Sequence, residues 1–318
     1  MTKKQRVLAA INKEAVDHVP ASFSLHFPEE IAAGEAGIQA HLDFFEQTDC
    51  DILKIMNENL VPYIEEAKTV ADLKRIPAYT RTAPFMQKQL DMIKGILDRA
   101  GDEYSIATIH GICASVLHPI EKIFGYDQGR VAQVNFLREN KQIYLEASKR
   151  VADAMCELVQ ASIELGCDGI YYAALGGEKQ LFSDEEFAEV IEPFDRQILL
   201  AAKEAKGDIF LHICKDNLEM NRYKNYQDIC DVLNWGVYET SFSLEEGKAL
   251  FPNATIMGGL ENRSGVFVEG TIEELEAEVR KVIQNFGTTG FILGADCTLP
   301  TEMPYERIRA AVHAAVIK

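Results

Sequence analysis

Apolar residues along this chain fall into two alternating rhythms. Short runs rich in β-branched and aromatic residues recur between longer stretches whose apolar positions return every three to four residues. The runs predict eight strands, at 19–25 (VPASFSL), 51–56 (DILKIM), 104–110 (YSIATIH), 168–175 (DGIYYAAL), 208–214 (DIFLHIC), 236–240 (GVYET), 254–259 (ATIMGG) and 291–296 (FILGAD). The longer stretches predict amphipathic helices, one through Ile143, Ala147, Val151, Ala154, Leu158, Ser162 and Leu165, another through Ile272, Leu275, Val279, Val282, Ile283 and Phe286. Three helix starts carry capping boxes, Ser183 with Glu186, Ser243 with Glu246 and Thr271 with Glu274, and Pro304 suits the first turn of the last helix.

Strictly alternating strands and helices imply a parallel sheet, and eight repeats over this length imply a closed (β/α)8 TIM barrel, an α/β fold. No linker rich in Gly, Pro or Ser divides the 318 residues, so residues 1–318 read as a single domain. The stretch 60–103, between the second and third strands, is long and is expected to hold extra helices near the barrel mouth. Neither G-x-G-x-x-G after the first strand nor a Walker loop is present, which removes the main support for a nucleotide-binding fold.

Charge narrows the partners. A formal net charge of -18 repels phosphate backbones and anionic lipid headgroups, so nucleic acid and membrane surfaces are excluded as partners, whereas a neutral or basic protein fits. Asn12, Lys13, Glu14 and Asp17 interrupt the apolar residues of the N-terminal segment before a signal-peptide core can form, and no stretch approaches a membrane span. Seven cysteines, an odd number without a dense framework, fit a reducing compartment, and the expected location is cytoplasmic. A homo-oligomer is compatible with all of this.

The candidate chemistry lies at strand ends. In LHICKD, His212 and Cys214 are two residues apart on a strand and share one face at its C-terminal end. Cys297 follows the eighth predicted strand in GADC, and Glu239 ends the sixth in VYETSFS. Barrel enzymes keep their active sites on that face. A histidine, two thiolates and a carboxylate form a borderline-soft set suited to Zn2+, with too few oxygens for Mg2+ or Ca2+. Zinc in such a set binds a thiol and holds it as a thiolate nucleophile near neutral pH. An isolated H-x-C is more often an accident of core packing. Ligand-type residues at three separate strand ends are what argue for a metal. Glu239 has three open roles: ligand, outer acid, or substrate-binding group.

The H-x-C motif, followed after 82 intervening residues by the Cys of G-A-D-C, resembles the zinc methyltransferases of the uroporphyrinogen decarboxylase superfamily. These move a methyl group from a methylated corrinoid protein to a thiol such as coenzyme M. The C-terminal third is similar to cobalamin-independent methionine synthase, whose zinc strands read H-x-C, E-T-S and D-C. The matching elements are His212-Ile213-Cys214, Glu239-Thr240-Ser241 and Asp296-Cys297. The resemblance implies a barrel enzyme with Zn2+ on His212, Cys214 and Cys297, and Glu239 as fourth ligand until substrate displaces it. It also implies a methylated corrinoid donor on a partner protein and a small thiol acceptor.

The decarboxylase branch matches less well. Its arginine-rich segment after the first strand is replaced by SFSLHFPEE, its catalytic aspartate falls opposite Asn57 or, with a shift, at Asp51, and its L-G-H-G is replaced by GADC. A tetrapyrrole with eight carboxylates also suits the net charge of -18 poorly. Decarboxylation of an acidic tetrapyrrole is therefore the alternative activity, and a non-catalytic corrinoid- or zinc-binding protein is the alternative outside catalysis.

Four further groups belong to predicted strand ends: His26 to the first, Asn57 and Glu58 to the second, and His110 to the third. Each either orients a methyl donor or acceptor or makes structural hydrogen bonds. Gly258 and Gly259 permit close backbone approach, by a cofactor or by packing. One of Tyr171 and Tyr172, which alternate across a strand, is expected inside the barrel. His118, Cys113 and Cys167 are expected to be structural.

Overall fold

The computed structural model describes residues 1–316. Seven parallel strands pair in chain order: β1 (Leu53–Ile55), β2 (Ser105–His110), β3 (Gly169–Ala174), β4 (Asp208–Ile213), β5 (Val232–Trp235), β6 (Thr255–Leu260) and β7 (Phe291–Ala295). Among the described residues twelve α-helices accompany them. They are α1 (Lys3–Ile11), α2 (Gly34–Thr48), α3 (Pro84–Ala100), α4 (Ile112–Phe124), α5 (Tyr126–Glu139), α6 (Lys141–Glu164), α7 (Asp184–Val190), α8 (Glu192–Glu204), α9 (Leu244–Leu250), α10 (Gly265–Glu269), α11 (Ile272–Phe286) and α12 (Tyr305–Ala314). Among the described residues no helix is long and apolar enough to cross a membrane.

Two strand predictions need correction. The first predicted strand is an extended segment without a ladder of its own, yet it bridges the two edges of the sheet. Ser22 donates its amide to the Leu293 carbonyl at 2.9 Å, Leu293 donates to Pro20 at 2.8 Å, and on the other side Asp51 donates to Ala21 at 2.8 Å. The sheet is curled and barrel-like, with seven strands and this segment between β7 and β1. Pro20 has no amide to give, which limits regular pairing. The predicted strand at 236–240 is a turn, and the real strand, β5, ends just before it. Gly236 draws the Thr240 amide back at 2.9 Å, so the polar and glycine-bearing GVYET closes on itself.

The long stretch 60–103 holds a six-residue 3-10 helix at Val70–Arg75 and α3, which is simply the helix of its βα unit. The three expected capping boxes are all formed, at the starts of α7, α9 and α11.

Inside the sheet the alternation of strand residues builds the bore. Ile52, Tyr104, Ile106, Tyr171, Phe210, Val232, Met257 and Ile292 form an apolar plug, onto which Val7 and Ala10 of α1 pack. Two residues further along their strands, on the same face, stand Lys54, Thr108, His212 and Asn234. The bore thus changes from apolar to polar in one step toward the strand C-termini.

The opposite end is closed by an ion pair. Arg6 of α1 donates to Asp51 at 2.6 Å, and Asp51 accepts the Ala21 amide at 2.8 Å. Asp51 is spent in structure there. It does not line the cavity at the other end.

Candidate metal centre

His212 is the penultimate residue of β4, Cys214 follows that strand directly, and Cys297 lies two residues beyond β7. Their donor atoms all lie within 4.8 Å of one another, and the two sulphurs are 3.8 Å apart. Lys215, next to Cys214, has φ +88°, in the left-handed region where side chains are strained, so the chain turns sharply after the ligand pair.

The imidazole is aimed by its neighbours. Asn234 donates through Nδ2 to the carbonyls of Met257 at 3.0 Å and Ala295 at 3.1 Å, which leaves its Oδ1 as acceptor. That oxygen lies 2.6 Å from His212 Nδ1 and accepts the Tyr171 hydroxyl at 2.9 Å. The Nδ1 therefore carries the hydrogen, and Nε2 keeps a lone pair. Nε2 is buried and has no hydrogen-bond partner. A buried unpaired acceptor costs free energy unless something fills it, and here it shares its space with two sulphurs. This donor set fits a zinc ion, and Asn234 gives the imidazole the hydrogen-bond partner that a metal-binding histidine usually has.

The two sulphurs are in hydrogen-bond contact. The hydrogen bond from Cys214 favours the Cys297 thiolate and holds that group well below the usual thiol range. Cys214 is pushed up in turn, first by the same bond and then by burial. By contrast, burial pushes the Cys167 thiol up to about 12 and keeps Cys113 protonated, which fits the structural role expected of both.

Glu239 stands apart from this cluster. It lies in the turn after β5, exposed, and its carboxyl is raised by partial desolvation and then by the Cys297 sulphur. The turn is anchored by Asp296, whose Oδ2 accepts the Tyr238 amide at 2.7 Å while Oδ1 has no partner. Burial pushes Asp296 up to about 7.

A cavity of about 410 Å3 opens above the triad, lined by His212, Cys214 and Cys297 on one side and by Lys54, Thr108 and His110 on the other. His26 lines its mouth, exposed, with Nδ1 2.6 Å from Glu58 Oε1. His110 is driven down to about 4 by burial and is therefore neutral at pH 7. His118 also lines the cavity, edge-on to His110 with ring centroids 5.0 Å apart.

Asn57 is buried outside the cavity lining and accepts the Asn59 amide at 3.0 Å. Gly258 and Gly259 do not line it either. Gly259 has φ +109°, and a Cβ there would come within 2.6 Å of Val282, so its close approach is to α11 and not to a cofactor. Tyr171 is the inward tyrosine of its pair, while Tyr172 turns outward to hydrogen-bond Asp195.

Two groups away from the predicted strand ends matter here. Asn234 lies in β5, which the predicted strand at 236–240 had displaced, although an Asn within the apolar run VLNW was a usable signal. Lys54 sits in the middle of β1, flanked by buried Leu53 and Ile55.

No curated protein matches the chain by sequence. Among solved structures, a methyltransferase from Methanosarcina mazei superposes with a TM-score of 0.77 at 18% identity, covering 99% of this chain and 98% of its own. A B12-independent methionine synthase from Shewanella sp. W3-18-1 superposes with a TM-score of 0.62 at 12% identity, covering 94% of this chain and 97% of its own. At such identities the likeness is one of fold. The sequence itself matches the model of the uroporphyrinogen decarboxylase family over residues 50–316, and the chain belongs to that family.

Proposed function

We propose that this chain is a zinc-dependent methyltransferase that moves a methyl group from a methylated corrinoid, carried by a partner protein, to a small thiol. The observation that carries the proposal is the unpartnered His212 Nε2 turned toward the sulphurs of Cys214 and Cys297. The fold likeness to the Methanosarcina methyltransferase and to the methionine synthase supports it. We read residues 1–318 as one domain, with the segment 19–25 completing a (β/α)8 barrel.

His212, Cys214 and Cys297 would hold the ion. When bound, zinc would lower the pKa of an incoming thiol. The chain's own residues supply orientation. Asn234 fixes the His212 tautomer, the turn at Lys215 points Cys214 into the cavity, and Asp296 holds the turn that carries Glu239. Glu239, outside the three-residue cluster, would be the fourth ligand to the ion and the one a substrate could replace. In the transfer an S–C bond forms as the cobalt–carbon bond breaks, with the electron pair leaving on cobalt and the thiol proton leaving to solvent. Displacement at a methyl carbon needs alignment more than acid-base help once the sulphur is ionised.

The test combines metal analysis of the purified protein with the change in absorption of methylcobalamin in the presence of thiols. Bound zinc with thiol-dependent demethylation is expected. Protein that takes up no zinc, or a Cys297→Ala variant as active as the parent, overturns the proposal. Production of coproporphyrinogen from uroporphyrinogen would establish the decarboxylase alternative instead. Binding of corrinoid or zinc without turnover would favour an accessory role.

A further inference from the structure

Cys214 makes the last ladder bond of its strand, its amide donating to the Ala174 carbonyl at 3.0 Å. Beyond it the chain leaves the sheet and is tied to the segment 175–183 that follows β3. The two segments form a short antiparallel clasp. Glu178 lies opposite Leu218, the Lys179 amide donates to the Asn217 carbonyl at 3.0 Å, and the Glu219 amide donates to the Gly177 carbonyl at 2.8 Å.

Glu178, at the centre of the clasp, is fully buried. One of its carboxylate oxygens accepts the Gly176 amide at 3.1 Å, and the other accepts the guanidinium of Arg130 in α5. The Arg130 guanidinium also lies 5.7 Å from the centroid of the Tyr126 ring, and the Lys215 ammonium lies 4.3 Å from the same centroid. Helix α5 therefore reaches the Cys214 segment by two routes, through Glu178 in the clasp and through Tyr126 beside Lys215. A second arginine, Arg222 in a 3-10 helix at Met220–Tyr226, donates to the carbonyls of Gly177 at 3.3 Å and Glu178 at 3.1 Å, which holds the β3 segment independently of α5.

Burying two charges costs desolvation that their attraction barely returns, and an apolar pair of similar size generally stabilises a fold as well. An apolar pair cannot fix direction. A carboxylate shared between an amide and a guanidinium does, and the clasp it centres has something to enforce. Lys215 and Asn217 stand at φ +88° and +49°, conformations that persist only where the surrounding structure imposes them.

We propose that the Arg130–Glu178 ion pair positions Cys214: it holds the clasp that enforces the turn at Lys215, and so keeps the Cys214 sulphur beside His212 and Cys297. The inference rests on the reading of the triad as a metal site.

The test replaces the pair with an apolar one, Arg130→Met with Glu178→Leu, and reads two properties. Chelator competition gives zinc affinity. In the metal-free protein, dibromobimane, which fluoresces when it bridges two neighbouring thiols, reports the Cys214–Cys297 spacing. The double variant is expected to bind zinc about 10- to 100-fold more weakly, as loss of an outer partner does, while its urea midpoint stays close to the parent's. Bridging should slow by about threefold or more. Arg130→Lys, which keeps the charge, should fall between parent and double variant in both readouts, and it carries the test if the double variant does not fold.

Parent-like zinc affinity and bridging in the double variant, or in Arg130→Lys where that variant stands in for it, overturn the inference. Weaker zinc binding with bridging unchanged overturns it too, since the Cys214 sulphur would then still be in place. Slower bridging in the double variant, in a protein whose parent takes up no zinc, supports the positioning role and sinks the metal site.

Discussion

The two walls of the cavity are built on different principles. On the β4, β5 and β7 side the supporting group is satisfied: Asn234 uses both its donors and its acceptor, and the result is one imidazole lone pair and two sulphurs facing the same space. On the β1 and β2 side the supporting groups are left wanting, with Lys54 lacking a carboxylate among the described residues and Thr108 lacking any partner. The first wall holds its three donor atoms together before any ligand arrives. The second wall has a positive group and a free hydroxyl. A whole-chain charge of -18 therefore misdescribes this cavity. The charge argument against acidic ligands drawn from composition does not extend to a pocket with three cations and no carboxylate in its lining.

Breaking the first wall should have the largest effect. Cys297→Ser is expected to weaken zinc binding by more than about 100-fold, beyond what loss of an outer partner does, and chelator competition would measure it. Gly259→Ala should cost about 3 kcal/mol of stability in chemical denaturation, from the positive φ and the contact with Val282, while leaving zinc affinity unchanged. A loss of ligand binding without loss of stability would instead restore a cofactor role for that glycine. Asn234→Leu should reduce zinc affinity by about 10- to 100-fold through the freed His212 ring, with the three ligands themselves intact.

The smallest expected effect concerns the support of the second wall. His41 is buried, with Nδ1 donating to the Gly37 carbonyl at 2.6 Å and Nε2 accepting the Met56 amide at 2.9 Å, so the neutral ring braces the end of β1. Burial lowers it from 6.5 to about 4. The unfolded chain therefore binds the proton more readily than the folded one between those values, and the stabilisation is present above pH 6.5 and lost as pH falls toward 4. Between pH 7 and 5.5 the parent should lose about 1 kcal/mol that His41→Gln does not, measured by urea denaturation at both values. Equal losses in the two proteins would show that His41 does not carry this dependence.

Particular elements show how far the sequence could be read. His212 and Cys214 were legible because a spacing of two on a strand fixes a common face whatever the surroundings. The capping boxes of α7, α9 and α11 were legible because they involve residues three apart. The strand at 236–240 was misread because glycine, valine and tyrosine satisfy a β pattern locally, while the turn there is imposed by Asp296 from the end of β7. That misreading hid Asn234.

Local pattern alone determined six of the seven strands, the parallel sheet and the residues fit to bind a metal, since each depends on neighbours within a few positions. The tertiary structure decided what pattern cannot encode. It showed which buried polar atoms find partners and which do not, because those partners come from strands far away in sequence. His212 Nε2 and Thr108 Oγ1 are ordinary atoms in a string of residues, and only the curled sheet leaves both unpartnered in the walls of one cavity.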